Sequence, residues 1–242
     1  MNIFKKEKKI KESEDSSTNG VKLVSVANTS SLYAEQFNSI RTSIRYSSAD
    51  IKYKNLLVTS SIASEGKSTI SGNLAVSFAR QGSSVLLVDA DLRRPTVEKT
   101  FEITEQKGLT NLLTEDNIKP SSVIYQTDVS DLSVLPSGPI PPSPADLLSS
   151  KKMDSLINQF NSQYDLVIYD SAPVLSVTDS QILATKLDGT IIVARANFVD
   201  KRKVETAVRS LRNVGGKIIG LILNDTEIPD DVYYYHKNKK SK

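Results

Sequence analysis

The stretch from Leu56 to Ala79 constrains the fold of this chain more than any other. It reads as an apolar run, Leu56-Leu57-Val58-Thr59, a loop of small residues, the sequence Gly66-Lys67-Ser68-Thr69 and then a helix-like segment. A buried strand that feeds a tight loop at a helix start makes a phosphate cradle, because backbone N–H groups and the positive helix end converge on one anion. In that geometry Lys67 reaches the β- and γ-phosphates of a nucleoside triphosphate, and Ser68 or Thr69 offers a hydroxyl to Mg²⁺. Ser64, Glu65 and Gly66 complete the candidate phosphate-binding set. The pattern is complete at its end and altered at its start, where Ser61 stands six residues before Lys67 in place of glycine.

Two further apolar runs end in carboxylates. The first, Val85 to Asp89, is followed by Asp91 and then by Arg93 and Arg94. Residues two apart in an extended segment share a face, so Asp89 and Asp91 emerge together at the carboxyl end of a strand, where open α/β sheets bind their ligands. The second, Leu166 to Asp170, puts Asp170 where a strand-terminal carboxylate holds a metal through water. The candidate metal set is thus Ser68, Asp89 and Asp170, and the candidate catalytic set Lys67, Asp89, Asp91 and Arg93.

The chemistry open to the chain is bounded by what it lacks. It has no cysteine and a single histidine, His236, which excludes disulfides, thiolate metal sites and a histidine-based zinc site. Mg²⁺ on oxygen ligands remains. No apolar run is long enough to span a membrane, and the lysine-rich start is not followed by the apolar stretch of a signal peptide, so a cytoplasmic location is expected. The net charge of +3 is concentrated in lysines at 5–11 and 237–242. These form neither a helix face nor a stripe interleaved with aromatics, which argues against nucleic acid as a partner.

From Lys54 onward strand-like and helix-like segments alternate. Strands are expected at Leu56–Thr59, Val85–Asp89, Leu132–Leu135, Leu166–Asp170, Thr190–Ala194 and Ile218–Leu223, and helices at Lys67–Gln81, Pro144–Asn161, Asp179–Lys186 and Lys201–Val214. A further helix over 32–48 carries Tyr33, Phe37, Ile40 and Ile44 on one stripe. The alternation predicts an α/β fold, a mostly parallel twisted sheet with helices on both faces. Residues 1–31 read as a flexible basic and Ser-rich arm, 32–228 as one domain and 229–242 as a flexible tail.

Taken together, the segments 66–69, 88–95, 135–148, 165–174 and 219–224 resemble the bacterial tyrosine kinases, in particular the cytoplasmic kinase of the two-protein capsule and exopolysaccharide systems. The likeness runs from about Ser31 to the C-terminus and implies a deviant P-loop fold with ATP and Mg²⁺ as cofactors. It also implies that Tyr233, Tyr234 and Tyr235 are phosphoacceptors for neighbouring subunits, and that Asn224 contacts the adenine. A tyrosine hydroxyl has an ordinary pKa of about 10 and needs a base or strong charge stabilisation to react near neutrality. Asp89 is the first candidate for that base, with Asp91 beside it and the two roles exchangeable. The resemblance further implies a membrane-embedded adaptor that recruits the kinase to the inner face of the membrane.

Two departures from the family pattern stand out. The helix at 32–48 resembles a Glu-x-x-Arg-x-x-Arg oligomerisation motif in which Asn38 replaces the middle Arg. Glu35 and Arg41, six apart, lie on different faces and are expected to find partners elsewhere, plausibly on the next subunit of a ring formed when unphosphorylated. The phosphate loop has Ala63-Ser64 where the family has Pro-Gly, so either the loop keeps to ordinary backbone space or nucleotide affinity drops. Two alternatives compete with the kinase: a partitioning or division-site ATPase, whose signature Lys is Ile62 here, and an ATP-gated scaffold of polysaccharide machinery that transfers no phosphate.

Overall fold

The computed structural model describes residues 20–27, 31–47 and 52–226. Its strands are β1 (Asn55–Ser60), β2 (Val85–Asp89), β3 (Tyr125–Gln126), β4 (Leu132–Leu135), β5 (Leu166–Asp170), β6 (Gly189–Arg195) and β7 (Ile218–Asn224). They form one sheet in the order β3-β4-β2-β5-β1-β6-β7, parallel throughout except that β3 pairs antiparallel with β4. The helices are α1 (Val24–Ala27), α2 (Leu32–Arg45), α3 (Lys67–Ala79), α4 (Val97–Thr100), α5 (Leu109–Thr114), α6 (Pro144–Ser149), α7 (Lys151–Gln163), α8 (Asp179–Ala184) and α9 (Lys201–Asn213). This is the α/β arrangement that the alternation predicts.

The central strands are buried on both faces, which is why their sequences are unbroken apolar runs. Leu56 and Val58 of β1 point to one side, where they pack with Ile70, Leu74 and Phe78 of α3 and with Phe37 of α2. Leu57 points to the other side and joins Phe160 of α7, Leu183 of α8 and Leu211 of α9. On the expected apolar stripe of α2, Phe37 is buried and Ile40 and Ile44 pack against that core, but Tyr33 is exposed.

Two expected segments are redrawn. The helix expected over Pro144–Asn161 breaks at Ser150, whose backbone is extended (ψ 153°) and whose hydroxyl accepts from the N–H of Met153 at 3.2 Å. A serine with that bond ends one helix and starts the next. Residues 20–27, expected to belong to a flexible arm, lie along α3. Asn73 accepts from the N–H of Ser25 at 2.9 Å and donates to the carbonyl of Lys22 at 3.0 Å. At Gly72 a Cβ would approach Leu23 to 3.1 Å, so the small residues of α3 admit this second layer. The tail containing Tyr233–Tyr235 lies outside the described residues.

The order of the strands positions the site. β1 lies between β5 and β6, and β5 pairs with β2, so the carboxyl ends of β2, β5 and β1 stand side by side. Asp89 is directly opposite Asp170 in register, and Asp170 opposite Val58. Thr59 donates to the carbonyl of Ala172 at 2.8 Å, and Ser180 of α8 bonds the hydroxyls of both Thr59 and Ser171. These bonds tie the strand ends together.

Candidate functional site

The loop between β1 and α3 encloses a pocket of about 310 Å³ lined by residues that include Ser64, Gly66, Lys67, Ser68, Thr69 and Asp91. Gly66 is left-handed (φ 92°), and a Cβ there would meet the Asn224 amide nitrogen at 2.2 Å. Glycine is required at this point. Ser64 is also left-handed, at φ 67°. Of the two outcomes open to a loop lacking the family glycine, ordinary backbone space is therefore not the one adopted. A left-handed residue with a Cβ costs roughly 1–2 kcal/mol. Ser64→Gly is expected to relieve that strain, less the extra entropy glycine loses on folding, for a gain of up to about 1 kcal/mol and up to about 3 °C in midpoint. Thermal melts of the two proteins check this, and a lower midpoint for the glycine variant contradicts it.

Glu65 does not face the phosphate space. Its carboxylate is fully buried and accepts from the N–H of Ile62 at 2.7 Å and of Arg195 at 3.4 Å. Burial raises its pKa, and those N–H groups oppose the rise. Its carbonyl accepts from the Asn224 side chain at 3.0 Å. Glu65 and Asn224 thus hold the loop from within and from β7, and the Asn224 amide nitrogen is committed to the loop.

Lys67 occupies the centre of the charge cluster. Its Nζ lies 2.9 Å from Asp91 Oδ2, 3.7 Å from Asp170 Oδ2 and 3.1 Å from Ser68 Oγ. Burial alone would lower its pKa, but Asp170 and Asp91 together hold it above the ordinary lysine range. Burial raises Asp170, with Lys67 pulling the other way. Asp170 Oδ1 accepts from Ser71 Oγ at 3.1 Å, while Oδ2 is buried with no hydrogen-bond partner.

The two carboxylates of the second motif differ. Both oxygens of Asp89 are engaged by backbone: Oδ1 by the N–H of Asp91 at 3.2 Å, Oδ2 by those of Thr96 at 2.8 Å and Val97 at 2.9 Å. Asp89 is fully buried, and burial, reinforced by Asp170, pushes its carboxyl up to about 8. Asp91 instead lines the pocket and meets Lys67.

Arg93 does not line this pocket. Its guanidinium grips Asp179 of α8 through two bonds of 2.9 and 3.1 Å, bracing the loop after β2. Arg94 lines the pocket in its place, with Thr96, Pro173 and Arg195. Arg195 ends β6, one residue past the strand end drawn from the sequence, and the strand-end rule that found Asp89 and Asp170 finds it once that strand is lengthened. No sequence signal distinguished Arg94 from Arg93.

Arg41 has partners within the chain, on its own helix and on α3. Its Nη1 donates to Asn38 Oδ1 at 2.7 Å, to the Ser77 carbonyl at 2.8 Å and to Ser77 Oγ at 2.7 Å. Asn38, at the altered position of the motif, accepts from Arg41 on its own helix and from Ser77 Oγ at 3.2 Å, while Ser77 ties Arg41 to α3 within the chain. Burial lowers the Arg41 pKa, assisted by Arg45. Glu35 is exposed.

The donor set suits a magnesium nucleotide. The first N–H groups of α3 have no partner within the helix, Lys67 is cationic, and Asp170, whose Oδ2 has the Lys67 charge 3.7 Å away but no hydrogen bond, lies beside the Ser68 hydroxyl. Among the described residues no three carboxylate, thiolate or imidazole groups converge to hold a metal unaided. A Mg²⁺ ion here would take the Ser68 hydroxyl directly and Asp170 through water, with the remaining ligands from nucleotide and solvent.

Comparison with known proteins agrees with this geometry. The model of an AAA domain family matches residues 58–218. The chain is 40% identical over 221 residues to the tyrosine-protein kinase YwqD of Bacillus subtilis, covering 90% of this chain and 92% of that one. It is 35% identical to the putative tyrosine-protein kinase CapB of Staphylococcus aureus, with 85% and 90% covered. Its fold superposes on the crystal structure of the chimerical protein CapA2B2 with a TM-score of 0.82 at 32% identity, covering 87% of this chain and 94% of the other. The chain belongs to the family of bacterial tyrosine-protein kinases.

Proposed function

We propose that this chain transfers the γ-phosphoryl group of ATP to Tyr233, Tyr234 and Tyr235 of another copy of itself. The observation that carries the reading is the placement of Asp91 on the pocket wall with Lys67 Nζ 2.9 Å away, opposite the phosphate loop. ATP bound as its magnesium complex supplies the transferable phosphoryl group. The backbone of Gly66–Thr69 and the Lys67 ammonium would hold the phosphates, and Ser68 and Asp170 would hold a Mg²⁺ ion that offsets phosphate charge.

Asp91, rather than Asp89, is the group that takes the proton from the tyrosine hydroxyl. Asp91 lines the pocket, its Oδ2 paired with Lys67, whereas the oxygens of Asp89 are engaged by three backbone N–H groups. Asp89 acts by shaping the loop that carries Asp91. Lys67 pairs with Asp91 and offsets negative charge developing on the transferred group. Arg93 serves from behind by anchoring that loop to Asp179, and Glu65 and Asn224 by bracing the phosphate loop.

The names of the relatives support a role in capsule or exopolysaccharide synthesis and export. A membrane-embedded adaptor that recruits the kinase to the inner face of the membrane is the partner the family resemblance implies, and the likeness to the chimerical protein CapA2B2 supports it. With Arg41 fastened inside the chain, a ring would rest on Glu35 and other surfaces of α2. Transfer between copies is checked by mixing an active copy whose three tail tyrosines are phenylalanine with an Asp91→Asn copy that retains them. Phosphate on the second copy, at an initial rate that rises with the product of the two concentrations, is the expected result. An unlabelled second copy beside a fully labelled wild-type control refutes transfer between copies.

A further inference from the structure

The stretch from 198 to 217, which contains α9, carries six cations, Lys201, Arg202, Lys203, Arg209, Arg212 and Lys217, against two carboxylates, Asp200 and Glu205. All six cations are exposed. Their excess is larger than the net charge of +3 of the whole chain. Ala207 and Leu211 turn one side of α9 into the core, which leaves the polar residues on the other. Arg202 and Arg209, seven residues apart, stand on one line of that outer side, and Arg212 lies a turn beyond Arg209. Neither carboxylate pairs with the three arginines. Asp200 caps the helix, accepting from the N–H of Arg202 at 2.8 Å, and Glu205 lies 3.8 Å from Lys201. Among the described residues no carboxylate lies within ion-pairing distance of the Arg202, Arg209 or Arg212 guanidinium.

We infer that this face docks on a bilayer rich in anionic phospholipid. From Arg202 to Arg212 the helix rises roughly 15 Å, at about 1.5 Å per residue, so the cations are spread along a convex surface instead of converging on one phosphate. Many headgroups in a plane match that spacing, and a single bound anion does not. Exposed apolar side chains stand at both ends of the helix, Phe198 at 49% and Val214 at 38% exposure. They would meet the apolar edge of a lipid surface, whereas a nucleic-acid backbone offers them nothing comparable. The apolar stripe of α9 is itself taken up by the core, so the helix lies on the headgroups without inserting, and charge carries the binding. Docking confines copies of the chain to one plane, where they meet more often. This contact stands apart from the identity of the tyrosines that receive phosphate.

The test is cosedimentation of the full chain with vesicles of phosphatidylcholine, alone or with about one third phosphatidylglycerol, at low and high salt. Binding is expected to the anionic vesicles only, and to weaken as salt rises. Arg202→Gln, Arg209→Gln and Arg212→Gln combined should weaken it about 30- to 100-fold, each basic residue near such a surface contributing about fivefold. Arg202→Lys, Arg209→Lys and Arg212→Lys combined should keep binding within about threefold, because the charge is retained. Melting midpoint and nucleotide affinity should be unchanged in both variants, since none of the three arginines lines the phosphate pocket. As the comparison, Lys237→Gln, Lys239→Gln, Lys240→Gln and Lys242→Gln together should retain most of the binding. No binding to anionic vesicles, equal binding by the wild type and the triple Gln variant, or capture by duplex DNA without capture by vesicles overturns the inference.

Discussion

Lys67→Met is expected to abolish phosphotransfer and to destabilise the folded chain by about 3–5 kcal/mol near pH 8, the size seen when one member of a buried charge cluster is removed. Lys67 lies within ion-pairing distance of both Asp91 and Asp170, which are buried. Without it, Asp170 loses the charge that pulls its raised carboxyl back down. Asp89, already raised to about 8, stays beside it. The folded state then binds more protons than the unfolded state, so stability falls as pH rises through the raised values and recovers on acidification. Urea unfolding of both proteins at pH 5.5 and pH 8 should show the smaller deficit at the lower pH. A deficit that is constant, or that grows in acid, contradicts the arrangement described for the cluster.

Asp91→Asn is expected to lower tyrosine phosphorylation by about 10²–10⁴ while leaving the fold intact and nucleotide affinity within about tenfold. The asparagine keeps an oxygen for the N–H groups of Arg93 and Arg94, which Asp91 Oδ1 accepts at 3.3 and 3.0 Å. Lys67 keeps Asp170. What is lost is the proton acceptor. Asp89→Asn should differ in kind, because an amide nitrogen would face backbone N–H groups on at least one side and leave a buried donor unpaired, costing about 1–3 kcal/mol. Nucleotide titrations, melting curves and initial rates on the two variants separate the roles. Equal rates for wild type and Asp91→Asn would remove Asp91 from the chemistry.

The sequence carried the fold well wherever burial was complete. The bounds of β2, β4 and β5 are those of the apolar runs, because a strand buried on both faces is apolar along most of its length; Ser133, the polar residue inside β4, accepts from Gln126 of β3 at 3.0 Å. The two-residue β3 had no such run and was missed. At the site, the strand ends were legible and the loops were not. Ser64 in the left-handed region turns Glu65 inward, and no spacing rule reports a backbone torsion. Arg93 and Arg94 are adjacent and identical, and only the position of Asp179 on α8 decides which is taken as a brace and which faces the pocket. Spacing says of Arg41 only that it does not pair with Glu35, six residues away. The acceptors it uses include Ser77, on a different helix and far along the chain.

The most direct measurement is incubation of the wild-type chain with Mg-ATP, with and without cytoplasmic segments of a membrane adaptor, followed by mass-spectrometric location of phosphate. The account predicts phosphate on Tyr233, Tyr234 or Tyr235, absent from the Lys67→Met protein and absent without Mg²⁺. ATP bound and hydrolysed with no phosphotyrosine anywhere on the chain, adaptor present or not, would contradict it.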